Sequence, residues 1–246
     1  MPRPPELSAR AVALKPSLTL AIGAQAKALQ RAGRDICSLS AGEPDFDTPD
    51  FIVEATRQAL RDGITRYGPA AGDPELRAAI AEKLSRTNGI ATSSEQVLIT
   101  NGGKQAIYNL FQVLLNPGDE VLLPAPYWLS YPEMAALAGA EVKLIPSQAE
   151  EGFRLDLDAL EAAISPRSRL LVLNTPGNPT GRVMPRQELE AVAELVRRHP
   201  QLLVMSDEIY EFLLAEGEQH HSFAAIASDL ADRCFTVNGF AKGWAM

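Results

Sequence analysis

Residues 169–207 read RLLVLNTPGNPTGRVMPRQELEAVAELVRRHPQLLVMSD. A run at 169–173, apolar after Arg169, gives way to a turn rich in Pro and Gly, then to a segment of helical spacing at 186–198, then to a second apolar run at 202–205. Neither run alternates apolar with polar residues, as a strand with one face in water does, so both read as strands covered on both faces by crossover helices. The same alternation continues outward, with strand-length runs at 97–99, 120–123, 141–145 and 234–237 and helical spacing at 103–115, 131–137 and 157–164. Strand and helix in repetition predict an α/β protein whose sheet is mainly parallel, with helices on both faces, and disfavour a sandwich or barrel of hairpins. Ahead of this region lie helical patterns at 17–32, 51–62 and 74–86, the last with Asp73 as N-cap and Pro74 at the first helical position. No internal repeat and no linker-like shift in composition divides the chain.

The composition narrows the function classes. With 246 residues, 46% hydrophobic and 22% charged, the chain is neither disordered, collagenous nor a coiled coil. Lys+Arg 23 against Asp+Glu 31 gives a net charge of -8 with no basic stretch, so nucleic acid is not an expected partner. Cys37 and Cys234 stand alone, without a CxxC pair or a Cys/His cluster at zinc spacing, and neither a disulfide framework nor a metal is expected. Met1-Pro2-Arg3-Pro4-Pro5 lacks the apolar core of a signal peptide and no apolar run reaches ~18 residues, so no membrane association is expected and the cytosol is the expected compartment.

In open α/β sheets ligands sit beyond the carboxyl ends of the strands. After the run at 97–99 comes Thr100-Asn101-Gly102-Gly103-Lys104, where two glycines before a helix let backbone N–H groups approach an anion; the alternative is a tight turn with no ligand. After 169–173 comes Asn174-Thr175-Pro176-Gly177-Asn178-Pro179-Thr180-Gly181, a loop of set shape that can aim the amide of Asn178 or simply be a rigid connection. The run at 202–205 leads into Ser206-Asp207-Glu208-Ile209-Tyr210, with Asp207 placed to pair with a buried cation or to cap a helix. Lys242, between Phe240 and Trp244, reads as a desolvated reactive amine or as an ordinary surface lysine. An anion-binding turn, a fixed amide, an acid and an amine at successive strand ends point to one assembled site. His220 and His221, in the polar stretch 216–222, read as a solvated loop and not as metal ligands.

These residues resemble the class I, aspartate-type aminotransferases that use pyridoxal 5'-phosphate (PLP) on the fold type I architecture. The resemblance is carried by Ser40-Ala41-Gly42-Glu43-Pro44-Asp45-Phe46-Asp47-Thr48-Pro49, Tyr67-Gly68-Pro69-Ala70-Ala71-Gly72, Asn101-Gly102-Gly103-Lys104-Gln105-Ala106 and Pro126-Tyr127-Trp128-Leu129-Ser130-Tyr131, and continues through Asn178-Pro179-Thr180-Gly181, Ser206-Asp207-Glu208-Ile209-Tyr210 and the surroundings of Lys242. It implies that Lys242 binds the cofactor covalently and shuttles the proton at the substrate's α-carbon, and that Asp207 pairs with the pyridine nitrogen so that the ring acts as an electron sink. By the same resemblance Asn178 and Tyr210 would bond the ring's phenolic oxygen, Trp128 would stack on the ring, and Gly103 and Lys104 would open the phosphate cradle. Tyr67 would reach the phosphate of a neighbouring subunit and Gly42 would contact the substrate carboxylate, which implies a homodimer with shared sites. Trp128 and Asn178 would also face the substrate, and Lys15, in Lys15-Pro16-Ser17, would bind a second carboxyl group. The implied division is an arm and small-domain-associated segment at 1–50 and a PLP-binding large domain at 51–246.

Family members typically continue with Thr-Gly-Trp-Arg soon after the equivalent of Met246, then with a small domain whose arginine grips the substrate α-carboxylate. The sequence is therefore expected to lack the C-terminal small domain and one antiparallel strand of the large sheet, which would leave the chain marginally stable as a fragment. The expected activity is transfer of an amino group between an amino acid, first aspartate and next the prephenate/arogenate pair, and a 2-oxo acid. A PLP-dependent carbon–sulfur β-lyase and a PLP-binding remnant without activity are the other readings.

Overall fold

The computed structural model describes residues 6–14, 18–39 and 42–246. Four helices come first: α1 (Ala9–Ala13), α2 (Leu18–Arg31), α3 (Asp50–Arg61) and α4 (Pro74–Lys83). Five strands follow, β1 (Glu120–Pro124), β2 (Glu141–Ile145), β3 (Ser168–Asn174), β4 (Leu203–Asp207) and β5 (Cys234–Val237). They form one sheet in the order β2-β1-β3-β4-β5, with every neighbouring pair parallel. Helix α5 (Gly103–Leu114) leads into β1, and α6 (Ser130–Leu137), α7 (Leu157–Ala163), α8 (Arg186–Arg198) and α9 (Phe223–Ile226) fill the successive crossovers.

The strand order accounts for the two helical layers. From β1 the chain steps outward to β2, then returns past β1 and adds β3, β4 and β5 in turn on the other side. Crossovers of one hand place the helix of the outward step on one face and those of the return steps on the other. Accordingly Val121, Leu123, Leu170, Val172 and Met205 pack with Ile107 and Phe111 of α5 and with Tyr131 and Met134 of α6. Leu122, Leu171, Leu173 and Val204 pack with Leu160 of α7, with Leu189, Val192 and Val196 of α8 and with Phe223 of α9. Successive strand residues thus serve opposite cores, which is why the runs show no alternation. Each such side chain taken fully out of water contributes about 1.5–3 kcal/mol.

The run at 97–99, expected to be the first strand, stands outside the sheet. Its Ile99 amide donates to the carbonyl of Ala71 at 3.0 Å, so the segment lies against the 69–72 turn. That approach requires glycine at 72: φ is 103°, and a Cβ there would stand 2.4 Å from Cγ1 of Ile99. A run this short forms a strand only beside another, and no described strand is its neighbour. The helix read at 74–86 ends at Lys83 and continues as a wider π-helical turn, Leu84–Asn88, closed by Gly89 at φ 71°. Helix α3 buries none of its side chains; Phe51 and Leu60 on it, and Ile64 beyond it, are exposed. Both cysteines are free, and burial pushes the Cys234 thiol up to about 12. Among the described residues no helix is long and apolar enough to cross a membrane.

Candidate active site

The switch in strand order lies between β1 and β3, whose following loops run to opposite faces and open a crevice at the carboxyl edge of the sheet. Register sets what lines it. Asn174 at the end of β3 pairs with Asp207 at the end of β4, and Asp207 in turn with Val237 at the end of β5.

Asp207 is buried to 4% exposure. Its Oδ2 accepts from the Tyr131 hydroxyl at 2.6 Å and its Oδ1 from the amide of Ile209 at 3.2 Å. No helix follows it, so the carboxylate is not an N-cap. Burial pushes its carboxyl up to about 6, and the charge of Glu208 adds to this, against the bonds from Tyr131 and Ile209 that favour the ionised form. Tyr131, held well above its ordinary range by burial and by Asp207, remains a neutral donor. Among the described residues no Lys, Arg or His pairs with Asp207, and a buried carboxylate without a cation suits a cationic ring nitrogen.

Around this acid the residues predicted from sequence form a connected set. Asn174 Nδ2 donates to the Asp207 carbonyl at 3.0 Å, and Asn174 Oδ1 accepts the Asn178 amide at 2.7 Å, so the acid's own strand pairing fixes the 174–181 loop. Asn178 Nδ2 then donates to the Tyr210 hydroxyl at 3.2 Å. Burial raises the Tyr210 phenol, as does the charge of Asp207, while the bond from Asn178 lowers it. Lys242 Nζ lies 5.8 Å from the centroid of the Tyr210 ring and donates to the carbonyl of Gly42. On the other side, Trp128 meets Tyr131 edge to face at 5.2 Å, and Lys104 Nζ sits 5.2 Å from the centre of the Trp128 ring.

The first amides of α5, which have no intrahelical acceptor, open toward this edge. Gly102 enters the helix at φ 79°, and a Cβ on Gly103 would stand 3.7 Å from Cδ1 of Ile209 and from Cγ1 of Val237. Tyr67 stands apart from the set, fully exposed. Lys15 lies outside the described residues, as do Ser40 and Ala41.

Two features were not read from the sequence. Tyr131 was quoted only as part of a motif; its signal is the spacing Trp128-x-x-Tyr131 at a helix start, which brings both rings to one side. His220 is not a solvated loop residue: its side chain is 8% exposed, and Nε2 lies 3.1 Å from Oε2 of the fully buried Glu208. Glu208 also accepts from Ser222 at 2.6 Å, Ser206 at 2.8 Å and the Phe223 amide at 3.3 Å. No metal-binding cluster exists among the described residues.

A parallel sheet layered by helices thus carries a buried acid, an amine and a helix N-terminus at its carboxyl edge. The chain belongs to the aminotransferase class I and II family, whose profile matches residues 34–246. It is 52% identical over 240 residues to the bifunctional aspartate aminotransferase and glutamate/aspartate-prephenate aminotransferase of Petunia hybrida, covering 98% of this chain and 50% of that protein. It is likewise 52% identical to the aspartate/prephenate aminotransferase of Thermus thermophilus, covering 98% of this chain and 61% of that one. The structure of the Thermus thermophilus aspartate aminotransferase with maleate superposes with a TM-score of 0.93 at 50% identity, over 98% of this chain and 62% of that chain. That of the Rhizobium meliloti aspartate aminotransferase gives 0.94 at 38% identity, over 98% and 60%. The chain therefore spans about half to three-fifths of the length of these relatives.

Proposed function

We propose that this chain carries the cofactor site of a PLP-dependent aminotransferase that exchanges the amino group of an amino acid, aspartate first and prephenate-derived substrates second, with the oxo group of a 2-oxo acid. One observation carries the cofactor reading: Asp207 is buried at the sheet edge with a neutral phenol and an amide as its donors, and with no cation among the described residues. The substrate reading is supported by the relatives, which are aspartate and aspartate/prephenate aminotransferases at 47–52% identity.

The residues fit PLP. Asp207 would hold the pyridine nitrogen protonated, with Tyr131 fixing the carboxylate. Asn178 and Tyr210, already bonded to one another, would receive the ring's phenolic oxygen. The face of Trp128 would bear on the ring, and the N-terminus at Gly103 and Lys104 would take the phosphate. When bound, PLP supplies an electron sink that stabilises charge developing on the substrate's α-carbon. The amine of Lys242 would attach the cofactor and then take and return the proton at that carbon, and Gly42, Trp128 and Asn178 would line the substrate side. We further propose a homodimer with shared sites, which the full exposure of Tyr67 and the unburied apolar side chains of α3 support.

Incubation with PLP, reduction with borohydride and peptide mapping test the reading. A pyridoxyl group on Lys242 is the expected result. Labelling spread over other lysines, or absent, refutes the site, and a labelled protein that transfers no amino group from aspartate to 2-oxoglutarate refutes the activity.

A further inference from the structure

The segment that carries Lys242 begins where β5 ends and lies along the turn that follows β4. The fit is close at two points. A Cβ on Gly239 would stand 2.8 Å from Cδ1 of Ile209, and one on Gly243 would stand 2.8 Å from Cδ2 of Phe212. Between these contacts, Asn238 Nδ2 donates to Oε1 of Glu211 at 2.8 Å, and Asn238 Oδ1 takes the Gly239 amide at 2.8 Å. Trp244 meets the Phe212 ring edge to face at 6.0 Å.

Glu211 is itself 6% exposed and tied to a third part of the chain. It pairs with Lys83 at the end of α4 and accepts from Asn88 Nδ2 at 2.7 Å; Asn88 also donates to Ser222 at 3.0 Å. The same Lys83 ammonium sits 5.0 Å from the centre of the Phe212 ring. One cation therefore secures both residues, 211 and 212, that grip the lysine segment. The turn is continuous with Asp207 and Tyr210, so the acid and the amine of the site are referred to a single rigid element.

We propose that Glu211 is a positioning residue that sets Lys242 against Asp207 and Tyr210 by clamping the 238–244 segment through Asn238 and, with Lys83, through Phe212. The proposal rests on the reading of Lys242 as the cofactor lysine. It is tested with Glu211→Gln, Glu211→Ala and Asn238→Ala in the whole chain, by two measurements: the rate at which borohydride fixes pyridoxyl on Lys242, and amide hydrogen exchange of 239–246 against that of β4 and α8.

In Asn238→Ala the Lys83–Glu211 pair stays in place. Its Ala245 and Met246 amides, which donate to the carbonyls of Lys242 and Phe240 and not to Asn238, are expected to exchange about ten-fold faster, the effect of the lost bond to Glu211, and Lys242 to label about ten-fold more slowly, with β4 and α8 unchanged. Glu211→Gln keeps an oxygen for Asn238 and is expected to retain most of the labelling rate, whereas Glu211→Ala loses it. Parent-like exchange and labelling in Asn238→Ala overturn the clamp, even where Glu211→Ala fails to fold. An unlabelled parent refutes the cofactor reading instead, and the exchange measurement still decides the clamp.

Discussion

With asparagine in place of Asp207 the protein should gain stability relative to the cofactor-free parent as pH rises from 4 to 7. The carboxyl has an ordinary value of 3.8 in the open chain and about 6 in the fold, mainly through burial. A proton is thus held more tightly by the folded state, and the stability linked to it is present in full below pH 3.8 and lost as pH rises through about 6. The gap corresponds to ~3 kcal/mol between pH 4 and pH 7. Asp207→Asn keeps an oxygen for the Tyr131 hydroxyl, sets its NH2 against the Ile209 amide at a cost that does not vary with pH, and removes the titration, while every other titrating group is common to both proteins and cancels in the difference. Urea unfolding of both, free of PLP, at pH 4, 5, 6 and 7 measures it. The variant should gain on the parent progressively, by up to ~3 kcal/mol, and excess PLP should reverse the order by stabilising only the parent. A difference that is flat with pH would refute the account of Asp207 as a buried charge awaiting a cation.

Tyr131→Phe takes one of two donors from a charged acceptor, so it should cost about 1.5–3 kcal/mol at pH 7 and far less at pH 4, where the carboxyl is protonated; the same urea series reads it. Gly72→Ala combines a φ of 103° with a Cβ 2.4 Å from Ile99, and should destabilise by more than ~1 kcal/mol, with amide exchange accelerated at residues 97–100. Glu120 lies between Lys143, Arg167 and the hydroxyls of Ser165 and Ser168, and although burial opposes ionisation these partners hold its carboxyl down to about 2 from 4.5. Its contribution is present above pH 4.5 and lost as pH falls through about 2, so Glu120→Gln should lower the thermal midpoint at pH 7 but not at pH 2.

What the sequence disclosed follows from how local each signal is. Apolar runs of strand length marked all five strands, those of β1, β3 and β4 buried on both faces, and for β2 and β5, at the sheet's edges, the expected limits coincide with those observed. The segment at 97–99 has the same composition but needs a neighbour, and pairing is not written in three residues. The sheet-edge residues Asn178, Asp207, Tyr210 and Lys242 were legible because strand ends are where ligands bind. Tyr131 was not, because its contact to Asp207 spans 76 positions. Glu208, Glu211 and His220 were passed over for a related reason: charged residues in a polar stretch are ordinarily solvated, and only the fold reveals that Glu208 and Glu211 have lost their water.

The carboxylates following β4 differ in a way that bears on function. Asp207, Glu208 and Glu211 fall within five residues and all are buried. Glu208 has His220, two hydroxyls and an amide; Glu211 has Lys83 and two side-chain amides. Burying a charge without a partner costs several kcal/mol, and for two of the three acids the fold supplies a cationic or protonatable partner from a distant segment. Only Asp207, the one that faces the crevice, has neither Lys, Arg nor His beside it among the described residues, and the nearby charge of Glu208 makes its position worse. A segment that compensates both neighbouring acids and leaves this one under the repulsion of Glu208 fits the proposed function, in which the missing charge arrives with a ligand. Under that proposal the energy withheld from folding at Asp207 would be available to hold a ring nitrogen in its protonated form, which is the state an electron sink requires.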